Sequence, residues 1–264
     1  MRGRGYFVKG LHPKGGYPLD FITFNLKLAF QEPGCPVCYL KQRNEERYMF
    51  SLLWERVNDG PTRARLVASL GFCREHAWQM ARTEYISLGG ALGMGIIYED
   101  LASRALAGLQ AYLKEKQAVI NLKPSGLRDQ ARRWLRGKGT EACLSLPGGL
   151  APLQPCPVCK SGKEAEDTYT KWLVYNCKDS QFREWYRSSD GLCLPHLRQA
   201  LHVCERDRRI SIFLTETARE KLQDVHHSLS EYVRKFNWQY RDEPKTAEEA
   251  VSLERILEFF TGKK

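Results

Sequence analysis

The sequence predicts an all-α protein of two tandem, pseudo-twofold helical repeats, each organised around a Cys3His metal site. Three observations lead there. Apolar residues recur at three- and four-residue steps along most of the chain, and no run of alternating apolar and polar residues is long enough to argue for a sheet. Two short signatures are spelled twice in the same order: CPVC at 35–38 and CREH at 73–76, then CPVC at 156–159 and CLPH at 193–196. Cys156 and Cys159 follow Cys35 and Cys38 by 121 residues, and Cys193 and His196 follow Cys73 and His76 by 120, so a single one-residue gap aligns all four positions.

The elements follow in order. Leu19 to Glu32 reads as a first helix, stopped by Pro33-Gly34. A second begins around Cys38 and runs until NDGP breaks it at 58–61. Thr62 is the expected cap of a short third helix ending at Gly71, and a fourth is expected from Cys73 to about Lys116 with a break near Arg82. Gly89, Gly90, Gly93 and Gly95 crowd together within it. No strand precedes them and no Lys-Ser/Thr closes them, so they predict close helix packing and not a phosphate loop. Residues 1–120 make the first repeat, 121–155 a basic, Pro/Gly-rich connector, and 156–264 the second repeat. There a helix through EAEDTYTKWLVYN is followed by a break at SSDG and a new helix at Cys193. One apolar stripe, from Ile210 through Val225 to Val233, marks a long helix between about Arg206 and Arg241, and TAEEAVSLERILEFF adds a capped last helix. Glu45 and Tyr48 align with Glu166 and Tyr169, and Gly71 with Gly191, so the duplication reaches beyond the cysteines.

The chemistry of the duplicated positions is that of a metal site. Zinc takes four tetrahedral ligands, and Cys3His is one of its standard structural sets. A C-x-x-C at a turn offers two thiolates. In C-x-x-H at a helix start, positions i and i+3 share a face, and the helix N-terminus favours the thiolate form of Cys73 or Cys193. The expected quartets are Cys35, Cys38, Cys73 and His76, and Cys156, Cys159, Cys193 and His196, two zinc ions per chain. The bland alternative is buried thiols and ordinary core or capping histidines; two sets in register weigh against it. Cys143, Cys177 and Cys204 have no repeat partner and read as ordinary thiols, although His202 and Cys204 lie close enough in sequence to substitute at the second site. His226 and His227 read as a solvated helix face. CRE at 73–75 with PCPVC at 155–159 imitates a zinc-deaminase signature. The halves belong to different repeats and the sheet is missing, so that reading is rejected.

The chain has 264 residues and a formal charge of +10, which favours acidic partners without naming one. Nine cysteines are many. The N-terminal stretch lacks an uninterrupted apolar region and a cleavage site, so reduced thiols and a cytoplasmic setting are expected. The most apolar run, 85–98, is too short to span a bilayer, and no membrane role is expected. Arg132, Arg133, Trp134, Arg136 and Lys138 could meet nucleic acid or an acidic protein, against the plainer reading of a solvated linker.

On the stretches FNLKLAFQEPGCPVCYLKQRNEERYMFSLLWERVNDG, GFCREHAWQMA and GIIYEDL, with CPVCKSGKEAEDTY and GLCLPHLRQAL, the chain resembles a bacterial family known as domain of unknown function 6062. The resemblance covers most of the chain and implies a helical architecture with paired Cys/His sites. It implies no activity. A closed four-ligand set is structural and not catalytic, so the expectation is a non-enzymatic zinc protein with an interaction or regulatory role. The alternative is an iron–sulfur or thiol redox-sensing protein using the same sets; thioredoxin-like chemistry would need a βαβ context that is absent.

Overall fold

The computed structural model describes residues 21–121 and 150–262, and the described residues hold ten helices and no strand. These are α1 (Phe21–Ala29), α2 (Pro36–Glu55), α3 (Gly60–Ala68), α4 (Arg74–Leu88), α5 (Leu92–Asn121), α6 (Pro157–Asn176), α7 (Ser180–Ser188), α8 (Leu194–Val203), α9 (Arg208–Arg234) and α10 (Ala247–Thr261). The all-α expectation holds. The bounds of α6 lie 121 residues beyond those of α2, and the bounds of α7 lie 120 beyond those of α3.

Local chemistry explains the ends. Asp59, not Thr62, caps α3: its carboxylate accepts the Thr62 N–H at 2.9 Å, with Pro61 in the first turn. Asp179 caps α7 in the same way through the Phe182 N–H at 2.8 Å. The helix expected to break near Arg82 runs unbroken to Leu88 and stops at Gly89, which takes the left-handed conformation at φ 70°. Helix α5 then starts under a buried carboxylate. Glu84 accepts the N–H groups of Gly93 at 2.6 Å and Met94 at 2.9 Å, satisfying donors that a helix start leaves open. Of the four crowded glycines only Gly93 is closely packed; a side chain there would meet Glu84, Val57 and Leu53. The long stripe helix is α9, shorter at both ends than expected. Thr246 and Glu249 form a reciprocal capping box at the start of α10, as TAEE suggests.

By packing, the chain divides into two compact units. One comprises the described residues of Met1–Lys41 and Ala165–Lys264, the other Gln42–Glu164, so the division falls inside α2 and α6. In the first unit, Leu26, Phe30, Leu173, Phe182, Tyr186 and Leu214 belong to one buried cluster. Phe30 anchors α1 edge-on to Phe182 and Tyr186, with ring centroids 5.3 and 5.9 Å away. Helix α10 lies along α9, and the buried Lys235 ammonium ties them, 2.7 Å from both Glu249 oxygens and 2.8 Å from the Pro244 carbonyl. In the second unit the core is Met49, Leu52, Leu66, Met80 and Ile97, closed by α3, α4 and α5.

Candidate metal centres

Each candidate ligand stands at the start of a helix. Cys35 and Cys156 immediately precede α2 and α6, with Pro36 and Pro157 at the first helical position, where a missing N–H costs nothing. Cys38 and Cys159 sit in the first turns of those helices. Cys73 and Cys193 are the N-cap residues of α4 and α8, with nearly the same extended backbone (φ −65°, ψ 166° and φ −65°, ψ 161°). Neither thiol caps its own helix, and both turn toward the other ligands. His76 and His196 follow one turn on, buried.

The eight residues gather into two groups, but the halves are exchanged relative to the expected quartets. Cys35 and Cys38 meet Cys193 and His196, whereas Cys73 and His76 meet Cys156 and Cys159. Helix lengths give the reason. Helix α2 is 20 residues long, about 30 Å at 1.5 Å per residue, and α3 is only nine, about 14 Å, too short to retrace α2 to its start. CREH therefore meets the CPVC that opens α6, not its own. Sequence spacing could not distinguish the two pairings, because duplication makes either CPVC compatible with either C-x-x-H.

In the first centre, His196 Nδ1 lies 3.4 Å from Cys35 Sγ, 3.3 Å from Cys38 Sγ and 3.1 Å from Cys193 Sγ, and the Cys38 and Cys193 sulfurs are 3.7 Å apart. In the second, His76 Nδ1 lies 3.2 Å from Cys73 Sγ, 3.7 Å from Cys156 Sγ and 3.2 Å from Cys159 Sγ, with Cys73 and Cys159 sulfurs 3.6 Å apart. Both imidazoles thus turn Nδ1 inward. Their Nε2 atoms face carboxylates, Glu166 at 3.8 Å for His196 and Glu45 at 3.7 Å for His76. A carboxylate behind the outer nitrogen is the usual arrangement behind a metal-bound histidine. Lys41 pairs with Glu166 at 3.0 Å. Glu45 lies directly over Gly162, where a Cβ would collide with its carboxylate, so the glycine makes room for it.

Without a central cation the charges conflict. Burial, reinforced by Cys193 and Cys38, pushes the Cys35 thiol well above its usual range. Hydrogen bonds from Cys193 and Cys35 hold Cys38 far below it. Burial works against the His196 imidazolium, yet the Cys193 and Cys38 sulfurs overcome it and carry the histidine up to about 10. At the second centre Cys159 is pushed up to about 12, first by burial and then by Cys156. Three sulfurs this close resist ionising together unless a cation sits among them. With two helix N-termini aimed at each group, the donor sets fit a divalent ion. Both groups can hold a metal.

The other described cysteines and histidines belong to neither group. Cys177 and Cys204 are buried in the core of the first unit outside the four-residue group, so Cys204 is no substitute ligand, and His202, His226 and His227 are exposed. Arg132, Arg133, Trp134, Arg136, Lys138 and Cys143 lie outside the described residues. One ground against a deaminase-like site fails, since CREH and PCPVC do come together. The reading fails all the same: His76 completes four ligands, and Glu75 points to solvent. Sequence reasoning missed Gly162 and Gly262, whose only signal is their place within a turn of a ligand or at a helix end.

An all-α fold with four helix starts converging in pairs on two Cys3His groups defines a class of metal-site helical protein. The chain belongs to the family of unknown function DUF6062, whose model matches residues 20–264. It is 25% identical over 236 residues to an uncharacterised 23.9 kDa protein in the xynA 3' region of Caldicellulosiruptor sp. (strain Rt8B.4), covering 88% of this chain and 97% of that one. No solved structure matches it significantly. No described helix is long and apolar enough to cross a membrane.

Proposed function

We propose that the protein is a zinc-binding helical protein with two structural Cys3His sites and a non-enzymatic interaction or regulatory role. The ligands are Cys35, Cys38, Cys193 and His196 in one site and Cys73, His76, Cys156 and Cys159 in the other. The spacing of the donor atoms carries the reading. Tetrahedral zinc with bonds of ~2.3 Å to sulfur and ~2.0–2.1 Å to nitrogen sets its ligands about 3.8 Å apart sulfur to sulfur and about 3.6 Å sulfur to nitrogen. The observed sulfur–sulfur separations of 3.6 and 3.7 Å and sulfur–nitrogen separations of 3.1 to 3.7 Å support one ion per group. An iron–sulfur cluster would have to spread its ligands around several atoms, which this spacing does not favour.

Each set is complete without water, so the residues have no open position to offer a substrate. Their work is mechanical. Each site clamps two helix starts that lie more than 80 residues apart in the chain. The matched bounds of α2 and α6, and of α3 and α7, support a duplicated unit whose copies have exchanged half-sites. Elemental analysis of protein purified without added metal should give two zinc per chain and no brown colour. One ion or fewer, or iron with sulfide, would contradict the proposal.

A further inference from the structure

We propose that the Cys73–His76–Cys156–Cys159 centre is an oxidation site, at which a peroxide converts Cys73 and Cys159 to a disulfide and frees the bound ion, while the other centre holds its ion. This rests on the two-metal reading above and adds to it a division of labour. The two centres have the same ligand types, the same inward Nδ1 and the same carboxylate behind the histidine. They differ in access. Cys35, Cys38, Cys193 and His196 are all buried. The end of α10 lies against this group: a Cβ on Gly262 would sit 3.1 Å from Cys38 Sγ and 3.6 Å from Cys193 Sγ. At the second centre Cys73 and Cys159 both reach the surface in part, while His76 and Cys156 are buried. The two accessible sulfurs are also neighbours, 3.6 Å apart, so a movement of about 1.5 Å brings them to the ~2.05 Å disulfide length.

The step balances within this pair. One thiolate attacks the peroxide O–O bond, giving a sulfenic acid and one hydroxide. The other thiolate attacks the sulfenic sulfur and expels the second hydroxide as the S–S bond forms. Two sulfurs lose one electron each and hydrogen peroxide gains both. His76 and Cys156 are left as a two-ligand remnant, too few to retain an ion. A reducing thiol reverses the change.

The test uses full-length protein with its metal counted beforehand, hydrogen peroxide as oxidant, a chromogenic chelator as reporter and peptide mapping of disulfides. One ion per chain should leave, at least about tenfold faster than the second, as accessibility governs sulfur oxidation. The first disulfide mapped should be Cys73–Cys159, and dithiothreitol with zinc should restore the site. A cavity of about 360 Å³ borders Cys35 and Cys193, so faster oxidation there is a real competing outcome. It would overturn the proposal, as would equal release from both sites or retention of both ions. The same mapping on metal-free protein separates the two ideas. Fewer than two ions at the start contradicts the metal reading, whereas a first disulfide other than Cys73–Cys159 contradicts this one.

Discussion

The two candidate metal centres share a set of residue types and differ in what surrounds it. Around the first, the ligands are part of the core: Cys35, Cys38 and Cys193 are buried in one cluster with Phe30, Phe182 and Tyr186. Asp190 accepts the Gly34 N–H at 2.7 Å, joining the turn before α2 to the approach to α8. Helix α10 adds a further layer along α9 and ends on the sulfurs. Around the second, only Cys156 among the cysteines is fully buried, and no described helix covers α5 as α10 covers α9. Leu106, Leu109 and Leu113 of α5 are accordingly exposed. The cysteines of the first site lie inside their unit's core, whereas Cys73 and Cys159 of the second stand at the edge of theirs.

The largest effect expected from this contrast comes from removing a ligand. Cys193→Ser should cost roughly 5 kcal/mol, less than the ~10–16 kcal/mol of a structural zinc in a small peptide because the helical core remains. That lowers the melting temperature by about 10–20 °C for a chain of this size. Cys73→Ser should cost no more than about half as much, read by thermal denaturation of both variants. Equal losses would break the comparison.

Next in size is the support of the core around the first site. Phe30→Ala removes a 6% exposed ring packed on Phe182 and Tyr186 and should cost about 3–4 kcal/mol. Chelator challenge should then show faster loss of one ion, the one held by Cys35, Cys38, Cys193 and His196, with the other unchanged.

A smaller, symmetrical effect should follow from the outer carboxylates. Glu45→Gln and Glu166→Gln should each weaken metal affinity by about 10–100-fold at their own site only. Competition titration with a chelator of known affinity reads this directly. Gly162→Ala should mimic Glu45→Gln, since the added methyl displaces the Glu45 carboxylate.

The smallest effect concerns the α10 layer. Hydrogen bonding to Lys235 holds the Glu249 carboxyl below its ordinary range. A depressed carboxyl contributes stability above its unfolded pKa and loses it as pH falls through the folded one. Acidification below the ordinary carboxylate range should therefore loosen α10, and Glu249→Gln should reproduce that loosening at neutral pH. Alkylation of Cys38 and Cys193 in metal-free protein should speed up in the variant, and alkylation of Cys73 and Cys159 should not.

Much of this was legible in the sequence. The helical class followed from periodicity, the candidate ligands from the doubled signatures, and the α10 cap from Thr246 and Glu249. Three things were not. Asp59 and Thr62 compete to cap the helix at NDGPT, and Pro61 in the first turn puts the cap before it, at Asp59. The exchange of half-sites was hidden by the duplication itself, which makes both pairings equal in spacing and leaves helix length to decide. The lid on the first site was hidden for a different reason: Gly262 lies more than 60 residues from the nearest ligand in the chain, and nothing in its neighbourhood marks it.

The exchange is the central claim, and metal counting on paired variants tests it most directly. Cys35→Ser with Cys193→Ser removes two ligands of one site, so that protein should retain one zinc per chain. Cys35→Ser with Cys73→Ser strikes both sites and should leave none. The opposite result, none in the first pair and one in the second, would show that each repeat completes its own site and would contradict the account.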